Sequence, residues 1–268
     1  MGEISNQSNS DKGSKYYMQM ELCGKRMVNG DKTYRFRCKK PLCHRCGGKN
    51  NLIHSLRIES VLNRIRFSGF TALRRFVFTL PFDLRKEFMT RKRLNQFFDL
   101  VRRLICRYFG IFVGEKETKK GTERIYSLHK GVVGILHLFG KDSTYKPHVN
   151  VLIFEKELDR KKLRVSHQKL NNINQSYQRA LKGLLKINVP QVVVHYKWVC
   201  GKEEVRSTIS YMTKPPSPEI LDDIMVDNGT KDSLIMEKFM ICELHNFQHI
   251  RFWGGLSNSE YKKSRKSR

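Results

Sequence analysis

Two apolar runs, Gly131–Phe139 (GVVGILHLF) and His148–Phe154 (HVNVLIF), are joined by the eight-residue turn Gly-Lys-Asp-Ser-Thr-Tyr-Lys-Pro. Parallel neighbours need a crossover of about a dozen residues or more, so runs this close pair antiparallel. Around them, Arg75–Leu80 (RFVFTL) reads as a strand closed by Pro81. Leu84–Tyr108 reads as one long basic helix burying Phe88, Leu94, Phe97, Phe98, Val101, Leu104 and Ile105. Gly114–Arg124 reads as a charged loop, Ser166–Leu185 as a helix, and Gln191–Val199 as a strand. Glu203–Thr213 reads as a helix stopped by Pro215 and Pro216. The order strand, helix, strand, strand, helix, strand, helix predicts an α+β domain with a mostly antiparallel sheet.

Charge narrows the partner. Lys and Arg number 52 against 25 Asp and Glu, a net charge of +27, and a surface so basic suits a polyanion such as nucleic acid. No run of about 18 apolar residues is present, so a membrane is not expected as a partner. Met1–Tyr16 is rich in Ser, Asn, Asp and Lys without an apolar stretch and reads as disordered rather than as a signal peptide, which makes the cytoplasm the expected compartment.

Seven cysteines include Cys23, Cys38, Cys43 and Cys46, the last three within CKKPLCHRC. In a reducing compartment this cluster reads as a tetrahedral zinc site, with Gly24 and Gly47 allowing tight turns and His44 a rival to Cys23 as fourth ligand. Cys106, Cys200 and Cys242 stand among apolar residues and read as core. The expected organisation is a disordered segment 1–16, a zinc-binding module 17–50, a connecting helix 51–70, a main domain 71–258 and a basic tail 259–268. The connecting helix rests on the amphipathic spacing of Leu52, Ile53, Leu56, Ile58, Val61, Leu62 and Ile65.

Within HVNVLIF, His148 and Asn150 are two apart and share a sheet face, while Val149 and Val151 take the other. An imidazole nitrogen beside an amide oxygen suits Mg²⁺ or Mn²⁺. His137, on the preceding strand, is the candidate third ligand, and Glu155 falls on the opposite face. The same spacing also describes a hydrogen-bonded core pair, and alone it does not decide between them. On Glu203–Thr213, the stripe Val205, Ile209, Met212 faces the core. Tyr211 sits at the edge of that stripe with Lys214 three residues on, a phenol held by packing yet within reach of a substrate. Tyrosine can form a covalent phosphotyrosine, with Lys214 placed to stabilise phenolate or phosphate, although a lone helical Tyr is also ordinary packing. Arg91, Lys92, Arg93, Lys119, Lys120 and Lys146 are candidate backbone grips on DNA, with Tyr145, Tyr196 and Trp198 as candidate stacking surfaces, of which Trp198 fits a core position better.

Taken in order, these segments resemble the superfamily of rolling-circle replication initiators and rolling-circle transposases named for its His-hydrophobic-His metal motif. CKKPLCHRC resembles the zinc module of the transposase branch, FVFTLP (Phe76–Pro81) the first strand motif, and LHLFGKDSTYKPHVNVLIF (Leu136–Phe154) the metal strand with its leading hairpin. SYMTKPP (Ser210–Pro216) resembles the tyrosine helix and HIRFWGGLSN (His249–Asn258) the closing segment. The resemblance implies a ferredoxin-like palm presenting His148, Asn150 and His137 to one Mg²⁺ or Mn²⁺, with structural Zn²⁺ in the module. It implies that Tyr211 nicks single-stranded DNA or a hairpin origin through a 5′-phosphotyrosine, with host helicase and polymerase as partners. Asn150 stands where the motif has its second His, and Ser207 where the transposase pattern has a second Tyr, which favours a plasmid or viral initiator over a transposase. A zinc-containing nucleic-acid-binding protein without catalysis is the alternative outside enzymology.

Overall fold

The computed structural model describes residues 18–19, 21–23, 25–29, 32–36, 38, 52–70, 72–118, 121–127, 129–140, 144–156, 164–199, 201–214, 236, 239–244 and 247–257. A short hairpin, β1 (Arg26–Asn29) and β2 (Lys32–Arg35), precedes helix α1 (Leu52–Ser68). The main domain runs β3 (Ala72–Thr79), a 3₁₀ segment Phe82–Phe88, α2 (Arg91–Tyr108), β4 (Phe112–Thr118), β5 (Gly121–Tyr126), β6 (Lys130–Phe139) and β7 (Tyr145–Glu155). It continues through α3 (His167–Leu185), β8 (Val194–Val199), α4 (Lys202–Thr213), a π turn Phe239–Glu243 and β9 (Ile250–Gly254). The protein is α+β, with a five-stranded sheet in the order β8-β3-β7-β6-β9 and every neighbouring pair antiparallel. Among the described residues no helix is long and apolar enough to cross a membrane.

The predicted β6–β7 pair is therefore at the heart of the sheet, and β7 is flanked on both sides. A central strand must satisfy all its backbone groups and bury both faces, which is why HVNVLIF reads as a nearly continuous apolar run. On one face Phe76, Phe78, Val149, Val151, Ile153, Val132 and Leu136 pack with the apolar sides of α2 and α3 in a single core. On the other, Leu73, Val133, Ile135, Leu152, Phe154 and Val199 pack against α1 and α4 through Val61, Ile209 and Met212. Gly134 permits the close fit on the first face, because a Cβ there would lie 2.5 Å from Trp253.

Two expectations are corrected. The helix predicted over Leu84–Tyr108 is divided: Thr90 is extended (φ −133°, ψ 149°) and its side chain accepts from the Arg93 N–H at 3.2 Å, so it caps a helix that begins at Arg91. Leu84 and Phe88 are buried as expected, but from the separate 3₁₀ segment that follows Pro81. The charged loop Gly114–Arg124 is the hairpin β4–β5, whose register sets Glu115 opposite Arg124 and Lys116 opposite Glu123. A reading based on apolar alternation is blind to a strand pair so rich in charged residues. The closing segment supplies the edge strand β9 beside β6. As predicted, Glu155 takes the face away from His148, where it pairs with the buried Arg74 and lies 3.6 Å from Lys130 Nζ.

Candidate functional site

The site lies on the α1/α4 face, toward the end of the sheet where β3 finishes. Antiparallel register puts His148 opposite both His137 and Thr79, and Asn150 opposite Ile135 and Val77. The imidazole rings of His137 and His148 meet edge to face with centroids 5.1 Å apart. A shift in the ladder just beyond His137 bends β6 at this point. His148 Nδ1 lies 2.8 Å from the Lys146 carbonyl and His137 Nε2 bonds the Met212 carbonyl, contacts in which each ring nitrogen donates. The lone pairs are then on Nε2 of His148 and Nδ1 of His137. Burial pushes the His137 imidazolium down to about 4, helped by neighbouring His148 and by Arg57 and Arg75, despite the opposing bond to Met212. His148 is lowered chiefly by burial as well. Both rings are neutral near pH 7, the state in which imidazole binds a metal.

Helix α4 brings the phenol. Ile209 and Met212 are fully buried while Tyr211, between them, is 47% exposed. The Tyr211 ring stands 6.2 Å from the His137 ring and 5.1 Å from the Arg75 guanidinium carbon. Carbonyls in the last turn of a helix lack intrahelical partners and must find donors elsewhere. Here they are met one by one. Ile209 O accepts from Thr213 Oγ1 at 2.8 Å, Ser210 O from His54 Nε2 at 2.8 Å, Tyr211 O from the Lys214 N–H at 3.4 Å, Met212 O from His137, and Thr213 O from Arg57 Nη1 at 3.5 Å. The turn carrying Tyr211 is thus tied to α1 and β6 as well as to itself.

Asn150 is wholly buried on the predicted face, and its carbonyl oxygen accepts from Arg75 Nη2 at 2.9 Å. Sequence reasoning missed Arg75, which shares its face with Val77 and Thr79 by strand alternation. His54 and Arg57 were also missed, three apart on a helix read as a connector. Arg57 sits deep enough for burial to bring its guanidinium down to about 10. His249, in the closing segment, is a further addition; burial takes it to about 3, with Arg57 and His137 acting in the same direction.

The donor chemistry fits a divalent cation at two positions: neutral His148, oriented by the Lys146 carbonyl, and neutral His137, oriented by that of Met212. An all-imidazole pair favours Mn²⁺ over the harder Mg²⁺. Among the described residues no group of three or more His, Cys, Asp or Glu side chains is placed to hold a metal. Of the zinc candidates, Cys23 is buried and Cys38 half-buried, whereas Cys43, Cys46 and the rival His44 lie outside the described residues. Cys106 is core, as predicted; Cys242 lies in the π turn and Cys200 is outside the described residues.

Of the basic candidates, exposed Lys146 adjoins His148 through its own carbonyl. Arg91, Lys92 and Arg93 open α2 and so share the sheet's end with His148 but not its face, since Tyr145 donates to Phe88 O there and Lys130 to Phe109 O at the far end. Arg93 is partly committed to Gln96 and the Leu184 carbonyl. Lys119, Lys120, segment 1–16 and tail 259–268 lie outside the described residues. Tyr145 is half-buried, with its hydroxyl bound to Phe88 O, and Tyr196 packs on Phe76 in the opposite core, so neither offers an open stacking surface. Trp198 is half-buried on β8. Comparison of the chain with protein-family models, curated proteins and solved structures gives no match.

Proposed function

We propose that this protein nicks and rejoins single-stranded DNA, initiating rolling-circle replication of a plasmid or virus from a ferredoxin-like palm. The observation that carries the reading is the convergence of a half-exposed Tyr211, the neutral His137–His148 pair and the cation Arg75 on one sheet face of a strongly basic protein. Tyr211 Oη attacks a phosphodiester phosphorus and gives up its phenolic proton to solvent, the bond to the 3′ oxygen breaks, and that oxygen takes a proton from water to leave as a free 3′-hydroxyl. The product is a 5′-phosphotyrosine, and attack by a 3′-hydroxyl reverses the step and reseals the strand. His148, through Nε2, and His137 would hold Mn²⁺ or Mg²⁺, which would supply Lewis-acid polarisation of the phosphate. Arg75 adds positive charge beside the phenol, and Lys146 and Lys214 flank the approach. Ser207, one turn before Tyr211 and exposed, presents no second phenol, which favours the initiator over a transposase. Cys23, Cys38, Cys43 and Cys46 would supply the thiolates for a structural Zn²⁺, and a host helicase would unwind and a host polymerase extend from the nick.

A second reading, nucleic-acid binding without catalysis, is favoured by one observation: Asn150 Oδ1 is taken up by Arg75. Incubating the protein with end-labelled single-stranded hairpin oligonucleotides and Mn²⁺, then resolving products on a denaturing gel, separates the two. A protein-linked band lost in Tyr211→Phe is expected. No band on hairpins from the encoding element, or an equal band from Tyr211→Phe, would refute the nuclease.

A further inference from the structure

The contact between Arg75 and Asn150 fixes which way the amide points. A guanidinium only donates, so the atom facing Arg75 Nη2 at 2.9 Å is the carbonyl oxygen, and the two Nδ2 hydrogens are turned away from it. Asn150 Nδ2 is buried and has no hydrogen-bond partner among the described residues, and the same holds for Arg75 Nε. Leaving such donors unmet is costly, and most buried polar groups avoid it. Here two orphan donors belong to side chains bonded to one another, on the face that carries Tyr211 and His148. Arg75 also has no carboxylate partner among the described residues: the acidic side chain nearest in the sheet, Glu155, is on the other face with Arg74. The Tyr211 ring stands 5.1 Å from the Arg75 guanidinium carbon and is about half exposed at the end of α4.

We infer that Arg75 and Asn150 form an anion receptor for a phosphodiester oxygen beside Tyr211, so that Asn150 serves as a hydrogen-bond donor to substrate and not as a metal ligand. This deepens the nuclease reading and rests on it for the identity of the anion as the scissile phosphate. Charge from Arg75 and an N–H from each partner converge on one acceptor. The amide oxygen, by accepting from Arg75, holds the guanidinium in place.

The full chain, uniformly ¹⁵N-labelled and exchanged by gel filtration into chelator-free buffer without added Mn²⁺ or Mg²⁺, is titrated with inorganic phosphate at constant ionic strength while the Asn150 side-chain amide and Arg75 Nε–H resonances are followed. Both are expected to shift saturably. Asn150→Asp keeps the acceptor for Arg75 and removes the donors, and is expected to weaken phosphate binding about tenfold or more; Arg75→Lys keeps the charge, loses the fork and acts in the same direction. Unmoved wild-type resonances, or phosphate affinity unchanged in both variants, would overturn the receptor even if one variant folds poorly. Stronger Mn²⁺ binding by Asn150→Asp with phosphate affinity intact would return Asn150 to the ligand set and overturn it too. Tyrosine adducts are scored separately: adduct formation without phosphate shifts sinks the receptor alone, and phosphate shifts without adduct sink the nuclease alone.

Discussion

Val149, Val151 and Ile153 look from β7 toward α2 and α3, whereas His148 and Asn150 look toward α1 and α4, and neighbouring residues of one strand meet opposite fates. On the first face the sheet meets a core rich in aromatics, with Phe78 edge-on to Tyr177, Phe88 to Phe97 and Phe98 to Trp253. On the second, the apolar cluster of Leu73, Val133, Ile135, Leu152, Phe154, Ile209 and Met212 adjoins the polar set His137, His148, Asn150, Arg75 and Tyr211. The arginines of β3 repeat the contrast. Arg74 is buried in an ion pair with Glu155 on the aromatic side, and Arg75 carries its charge to the polar side. One face holds the sheet together, which leaves the other free to keep costly polar groups that binding or chemistry requires.

The widest test of this division is Tyr211→Phe: adduct formation should fall on the order of 10³-fold or more, with thermal stability within about 0.5 kcal/mol of wild type. A matching loss of stability would show that the phenol belongs to the packing. Its mirror is Phe78→Ala on the opposite face, expected to cost about 3–5 kcal/mol in denaturant unfolding. A cost below about 1 kcal/mol would place the stabilising core elsewhere.

The division itself was partly legible. The short turn between the apolar runs set β6 against β7, and the period of two put His148 and Asn150 on one side with His137 across the ladder. Tyr211 followed from the helical stripe of Ile209 and Met212. Arg75 was hidden among 52 basic residues, because charge says nothing of direction until a strand's partners are known. His54 and Arg57 were hidden differently: their i, i+3 spacing gives a shared face, but only the packed structure shows that α4 ends against it. The β4–β5 hairpin lacked the apolar alternation by which strands are read.

Smaller effects sharpen the comparison. His54→Phe removes the donor to Ser210 O and should cost about 1 kcal/mol of stability, while slowing adduct formation by more than that loss explains, since it frees the turn that aims Tyr211. Equal losses would reduce His54 to packing. The pH dependence has a definite sign. His137 and His249 are depressed in the fold, to about 4 and about 3, from an ordinary value of 6.5. Between those limits the unfolded chain binds more protons, so stability is full above about pH 6.5 and declines as pH falls, levelling off below the folded values. Melting curves from pH 7 to pH 4 should show this decline, and His249→Gln should make it shallower; an unchanged slope would mean that His249 is not held neutral.

The donors gathered around the end of α4 have a consequence beyond anchoring. A helix C-terminus carries roughly half a negative charge in its outward-pointing carbonyl dipoles, a repulsive neighbour for any phosphate. Tyr211 occupies just that last turn. By turning an arginine and two imidazole N–H groups onto those carbonyls, α1 and β6 blunt the negative pole at its source. A polyanion bound as proposed would thus meet the one end of a helix that otherwise repels it with that repulsion already reduced.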